Sequence, residues 1–147
     1  MKQCIRVAIV ILPMAFTIIA CNRTNLQSSA KPQIVTSNLI LDVKSKTGVV
    51  LPTSCTLILS TNYSRLDSDT WLFEIDGSNP AQFPRQLELQ PQADGRDTAK
   101  LMERMSGISI GIPKAWYFGT WQISNAQCHA TLISTSNSDY LMLERLY

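Results

Sequence analysis

His129 is the only histidine of the chain and is the first residue to consider for catalysis. It directly follows Cys128, but a Cys–His or Ser–His–Asp arrangement also needs an acid that orients the imidazole. No motif supplies that acid, so a partly exposed strand histidine is the favoured interpretation. Zinc is not expected, because structural sites take about four nitrogen or sulfur ligands and catalytic sites about three. The sequence therefore predicts neither an enzyme nor a metal or cofactor site.

Two acids in the segment RLDSDT, Asp67 and Asp69, are the next candidates. They could supply oxygen ligands to calcium, or act as paired carboxylates in acid–base chemistry. Calcium takes roughly six to eight oxygens, and the segment lacks the third acid and the central glycine of a helical calcium loop. A solvated turn is therefore the favoured interpretation.

The segment AWYFGTW carries the candidate binding residues Trp116, Tyr117 and Trp121. In a strand, Trp116 lies on one face, while Tyr117 and Trp121 lie on the other. A half-buried strand needs one apolar face, so one aromatic group is available to contact a protein or a sugar ring. A core position for all three is the alternative, and it is the favoured one.

The elements that position these residues begin with the N-terminus. Lys2 and Arg6 precede an apolar run at residues 7–19, which is followed by the small residue Ala20. This layout is typical of a secretory signal peptide. A helix of that length spans about 20 Å, against about 30 Å for the hydrocarbon core of a bilayer. Residues 1–20 are therefore predicted to be a cleaved signal and not a permanent transmembrane helix.

The four residues Ile18, Ile19, Ala20 and Cys21 resemble the lipobox of bacterial lipoproteins. The resemblance implies that Cys21 receives a diacylglyceryl group and that an acyl chain such as palmitate caps the new amino terminus. It also implies attachment to a membrane of the cell envelope. Asn22 stands where aspartate commonly signals retention in the inner membrane, so the outer membrane, facing the periplasm, is expected. Simple cleavage that leaves Cys21 as a thiol is the alternative.

The number of cysteines agrees with lipidation. Cys4 lies in the signal, so cleavage leaves Cys21, Cys55 and Cys128. Modification of Cys21 removes the odd thiol, and an oxidising compartment then favours a disulfide between Cys55 and Cys128. Two buried free cysteines are the alternative.

Charge and length describe the mature chain. Loss of Lys2 and Arg6 reduces 13 basic residues to 11, which equals the 11 acidic residues. This balance leaves no excess of positive charge that would indicate nucleic-acid binding. Residues 21–33 are predicted to be the lipidated cysteine and a flexible tether, and residues 34–147 a single extracytoplasmic domain.

Alternating apolar residues predict that this domain is mainly β, an antiparallel sandwich or small barrel of about eight strands. Residues 97–107 depart from the alternation and predict one short helix, with Asp97 as N-cap and Gly107 after its end. The predicted strands are residues 39–43, 55–60, 71–75, 87–89, 108–112, 116–123, 128–134 and 140–147.

The sequence thus predicts a lipid-anchored envelope protein with a non-enzymatic, protein-binding β-domain. Its arrangement of anchor, tether and β-domain is similar in outline to the outer-membrane lipoprotein of type VI secretion systems. An accessory part of an envelope or secretion assembly is therefore one expectation. A periplasmic inhibitor or protective protein against a wall-degrading enzyme or toxin is the first alternative, and a glycan-binding module is the second.

Overall fold

The computed structural model describes residues 32–63, 67–76 and 87–147. The predicted signal, Cys21 and most of the predicted tether lie outside the described residues. The strands are β1 (Gln33–Ile34), β2 (Cys55–Tyr63), β3 (Ser68–Ile75), β4 (Gln90–Pro91), β5 (Ala115–Ile123), β6 (Ala126–Ser134) and β7 (Asp139–Leu146). The helices of this part of the chain are α1 (Ser37–Thr47) and α2 (Arg96–Ser106).

Seven described strands form one open sheet in the order β1-β2-β3-β7-β6-β5-β4. Each neighbouring pair is antiparallel. The predicted class, a mainly β antiparallel domain, is therefore confirmed, with seven strands in the described residues against the predicted eight. A helix packs on each face of the sheet, and each face is named below after the helix that covers it.

The segment at residues 39–43 is helical, so its prediction as a strand is wrong. Thr36 caps the first turn of α1, with its Oγ1 accepting a hydrogen bond from the Leu39 amide, and Gly48 ends the helix at φ +74°. Val43 is fully buried, while Leu41 is 63% exposed. The buried residues thus follow the period of a helix. The alternation of Leu39, Leu41 and Val43 instead suggests the period of a strand, which is wrong here.

The core has two parts, one on each side of the sheet. On the α1 face, the buried side chains are Val43, Val49, Leu51, Cys55, Trp71, Phe73, Ile75, Leu89, Ala130, Leu132, Leu141 and Leu143. On the α2 face, they are Ile58, Leu59, Leu72, Ala99, Met102, Ile110, Ile133, Tyr140 and Met142. A register shift between Leu57 and Leu59 lets both Ile58 and Leu59 pack on the α2 face. Burial on both faces explains why β3 is almost continuously apolar from Trp71 to Ile75.

Residues 87–89 are not a strand, so that prediction is wrong. They cross the α1 face beside β5. Leu89 packs over Gly119, where an added Cβ would stand 2.6 Å from Leu89 Cδ2. The chain pairs with β5 only one residue later, at Gln90 and Pro91. Gly119 is therefore the position that allows this segment to approach the sheet closely.

Cys55 and Cys128 are free thiols, which corrects the predicted disulfide. Cys55 lies on β2, and Cys128 lies on β6, three strand spacings away in the sheet order. Three spacings amount to about 14 Å, whereas bridged cysteines have Cα atoms within about 7 Å. The register adds a further separation along the strands, because Cys55 pairs with Ile75 and Cys128 with Arg145, at opposite ends of the central strands.

Burial protects both thiols. Cys55 is 4% exposed and Cys128 is fully buried. Burial raises the pKa of both thiols, although the nearby charge of Arg145 partly opposes this for Cys128. A buried thiol with a raised pKa is a poor nucleophile and is slow to oxidise.

We therefore expect iodoacetamide to leave Cys55 and Cys128 unmodified in the native protein and to alkylate both in denaturant without a reducing agent. Peptide mass spectrometry measures the modification at each site. Alkylation that requires prior reduction would show that the thiols are bridged after all. Cys55→Ser and Cys128→Ser identify the two signals.

Candidate functional site

The most distinctive surface lies where the chain leaves α2 and folds back along it. Glu103 Oε1 accepts hydrogen bonds from the amides of Ile110 at 2.8 Å and Gly111 at 3.3 Å, and from Ser109 Oγ at 3.5 Å. These amide bonds lower the pKa of Glu103, because they stabilise its ionised form. One carboxylate thus ties residues 109–111, the middle of the loop at residues 107–113, to the helix.

The same loop was predicted as the strand at residues 108–112, and that prediction is wrong. Gly107 and Gly111 both have positive φ angles, +73° and +81°, which interrupt an extended strand. Bonds to Glu103 take the place of sheet hydrogen bonds. The alternation in ISIGI instead reflects a loop in which Ile110 is buried and Ile112 faces solvent.

Ile112 is 83% exposed, although its loop is tightly held. Beside it lies a groove of about 440 Å³, lined by Arg96, Ala99, Lys100, Glu103, Gly111, Ile112 and Pro113. We call these seven residues the α2 surface. An exposed apolar side chain next to a groove gains stabilisation when a partner covers it.

Two cations lie on the edge of the groove. Arg96 Nε is 3.8 Å from Asp94, and Lys100 Nζ is 3.7 Å from Asp97. Both pairs are strongly exposed, so each contributes little to stability and is easily exchanged for another carboxylate.

We expect Glu103→Ala to release the loop without unfolding the domain. Amide exchange at Ile110 and Gly111 should become at least ~10-fold faster, because the two amides lose their acceptor. Hydrogen exchange followed by NMR measures this, with the exposed Arg104→Ala as the matched control. Unchanged exchange at both amides would show that Glu103 does not hold the loop.

Of the three predicted binding residues, Trp116 lies nearest to this surface. It lines a second groove of about 190 Å³ with Gln92, Ala93, Asp94, Gly95, Arg96, Pro113, Lys114 and Ala115. Its ring packs on the α2-face core and against Gly95, where an added Cβ would stand 2.8 Å from the Trp116 Cβ. The two grooves share Arg96 and Pro113, so Trp116 borders the α2 surface and mainly supports it from below.

Tyr117 and Trp121 lie on the α1 face, on the other side of the sheet. Trp121 Nε1 donates a 2.8 Å hydrogen bond to the carbonyl of Thr47 at the end of α1. Trp121 also lines a separate groove of about 360 Å³ with Thr47, Gly48, Leu87, Glu88, Thr120 and Ile123. The three aromatic residues are each partly buried and share no common surface, in keeping with the core interpretation.

His129 has an acidic neighbour that the sequence did not reveal. Its Nδ1 is 4.0 Å from Glu144 Oε2, because the two residues pair across β6 and β7. The His129 ring meets Phe118 edge to face. In the described residues, His129 Nε2 has no hydrogen-bond partner, so the pair has no nucleophile in contact with it.

Asp69 is buried and is not part of a solvated turn, which corrects its interpretation. Its carboxylate accepts hydrogen bonds from Asn62 Nδ2 and from the Tyr147 hydroxyl at 2.8 Å, and lies 3.5 Å from Lys46 Nζ. Asp67 is exposed, and its carbonyl accepts from the Tyr147 amide. The two acids therefore have separate structural roles, and Asp69 joins α1 to the end of β7.

Two further properties concern the described residues alone. They contain no group of three or more His, Cys, Asp or Glu residues placed to hold a metal ion. None of their helices has the length and apolar composition needed to cross a membrane.

Comparison with known proteins gives no relative: no family model, no curated protein and no solved structure matches the chain.

Proposed function

We propose that this chain is a lipid-anchored protein of the cell envelope whose β-domain binds another protein through the α2 surface and catalyses no reaction. The exposure of Ile112 beside its groove is the observation that carries this proposal. An envelope or secretion assembly is the kind of partner that such an anchored module serves.

The energetics of Ile112 support a binding role. Full burial of an isoleucine side chain contributes about 1.5–3 kcal/mol, and the isolated chain does not gain this. Because Glu103 already fixes the loop, binding a partner costs little conformational entropy for ordering this loop.

The lipobox supports the location. Extended chain spans at most about 3.6 Å per residue, so the segment from Cys21 to β1 reaches roughly 40 Å. A partner bound to the domain is thereby kept close to the membrane. Its effective concentration rises to the millimolar range for a short flexible link, without any additional contact.

An inhibitor of a wall-degrading enzyme is the second candidate. Inhibitory loops work when they are fixed in the bound conformation before they meet the enzyme, and the loop at residues 107–113 is fixed by Glu103. The same residue, Ile112, would then enter the cleft of the enzyme.

Quantitative co-purification from envelope extracts of the source cells tests the proposal. The full-length protein should retain one specific protein that Ile112→Ser loses at least ~10-fold, equivalent to about 1.4 kcal/mol. Leu41→Ser is the matched control, because Leu41 is 63% exposed on α1, on the opposite side of the sheet. Equal recovery with both variants would contradict binding through this surface.

A muramidase assay separates the two candidates. Inhibition that Ile112→Ser abolishes would identify an inhibitor, whereas a retained envelope protein without inhibition supports an assembly component.

A further inference from the structure

The charges around the groove indicate what kind of partner it takes. Arg96 and Lys100 line the apolar groove, and Lys114 lines the adjoining one. Glu103, the acid of the α2 surface, has Oε1 occupied by the loop amides and Ser109. The groove therefore presents an apolar wall with cations along its rim.

This rim differs from the rest of the described residues. The α2 surface contains two cations, Arg96 and Lys100, and one carboxylate, Glu103. The other described residues contain five cations, Lys44, Lys46, Arg104, Lys114 and Arg145, and ten carboxylates, Asp42, Asp67, Asp69, Glu74, Asp76, Glu88, Asp94, Asp97, Asp139 and Glu144. In the described part of the chain, cations therefore outnumber carboxylates at the α2 surface but not in the remainder.

We infer, on the basis of the proposed function, that the partner is a protein segment in which Asp or Glu residues flank an apolar side chain. The apolar side chain enters the groove against Ile112 and Pro113, while the carboxylates bind Arg96 and Lys100.

Arg96 and Lys100 can bind the carboxylates of the partner because their present ion pairs are easily exchanged. Charge-assisted hydrogen bonds have donor–acceptor distances of about 2.7–2.9 Å, and the present pairs with Asp94 and Asp97 are longer, at 3.8 and 3.7 Å. A partner carboxylate held at the shorter distance in a desolvated interface displaces them. The guanidinium of Arg96 can bind a carboxylate through two parallel hydrogen bonds.

An anionic membrane surface fits the same site less well. Each cation near such a surface contributes about 1 kcal/mol, but Asp94 and Asp97 are exposed among the cations and would be repelled. A concave groove also matches the shape of a side chain and not that of a flat bilayer. The observations therefore favour a protein segment.

A phage library of random twelve-residue peptides, panned on the purified full-length protein, tests the inference. Enriched peptides should carry at least two acids within about three residues of an aliphatic or aromatic residue. Lys100→Glu and Arg96→Glu should each weaken the selected peptides at least ~10-fold, and so should Ile112→Ser. Lys44→Glu, an exposed reversal on α1, should leave their binding unchanged.

The outcomes separate the inference from the proposed function. Peptides that need Ile112 but are neutral or basic would overturn the acidic partner and leave the binding surface standing. Peptides whose binding is indifferent to Ile112→Ser, or no enrichment at all, would overturn both. Sedimentation of the protein with phosphatidylglycerol vesicles but not phosphatidylcholine vesicles, lost in Lys100→Glu, would identify a lipid surface and also overturn the inference.

Discussion

Replacing Cys21 with alanine is expected to abolish palmitate incorporation and to move the protein from the membrane fraction to the soluble fraction. The reason is the energy of the anchor. Each buried methylene contributes about 0.8 kcal/mol, one acyl chain alone binds only marginally, and two or three chains bind stably. Without the thiol, no diacylglyceryl group attaches, and the remaining apolar run is too short to serve as a normal membrane span.

Metabolic labelling with palmitate, followed by membrane fractionation, measures both effects. Cys4→Ala is the matched control, because Cys4 precedes the apolar run and lies within the predicted signal. The control should label and fractionate like the wild type. Equal labelling of Cys21→Ala would place the lipid elsewhere, and membrane retention without label would indicate an uncleaved N-terminal helix.

Asp69→Ala is expected to destabilise the domain by about 1–2 kcal/mol. The change removes the buried acceptor of Asn62, Tyr147 and Lys46, and these exposed or half-exposed donors then bond to water instead. Lys46 retains Asp42 at 3.2 Å, which keeps the loss below that of a fully orphaned charge. Urea unfolding at neutral pH measures the difference, with Asp67→Ala as the exposed neighbouring control.

The effect of Asp69 should depend on pH. Burial by itself would raise the pKa of Asp69, but hydrogen bonds from Tyr147 and Asn62 and the charge of Lys46 outweigh it and lower that pKa. Its stabilisation is therefore complete above the ordinary aspartate pKa of about 3.9 and is lost as the pH falls through the lower folded value. The difference in the free energy of unfolding between wild type and Asp69→Asn should be constant from pH 7 to pH 5 and shrink below about pH 4. A gap that widens in acid would mean that the carboxyl is protonated in the native protein.

The central strands were predictable because their sequences satisfy two conditions at once. Around β5, β6 and β7, apolar residues alternate or run continuously, and turn residues separate the segments. The helix predicted at residues 97–107 is α2 (Arg96–Ser106), because its apolar positions follow the helical period and Gly107 ends it at φ +73°. The predicted N-cap is wrong, because Gly95 is the N-cap and Asp97 lies in the first turn. In both cases local preference and tertiary burial agree.

Errors occurred where local pattern and packing disagree. In α1, Leu41 continues an apparent alternation but is exposed, so the true period is visible only once the helix packs on the sheet. The disulfide was inferred from the number of cysteines, which carries no information about distance between strands.

The candidate site was the least predictable part, because it depends on contacts between residues that are apart in sequence. Glu103 is separated from the Ile110 and Gly111 amides by a glycine turn, and no short motif encodes this bond. Trp116 was recognised as a candidate, but its role beside the α2 surface follows from the packing of α2. An exposed isoleucine in a segment such as ISIGI is indistinguishable from a core residue until the fold is known.

Site-specific photo-crosslinking in living source cells gives the most direct test of binding through the α2 surface. The full-length protein would carry p-benzoylphenylalanine at position 112 and, as a control, at position 44 on α1. We predict one discrete adduct from position 112, identified by mass spectrometry as an envelope protein, and none from position 44. No adduct at 112, or the same adducts from both positions, would contradict it.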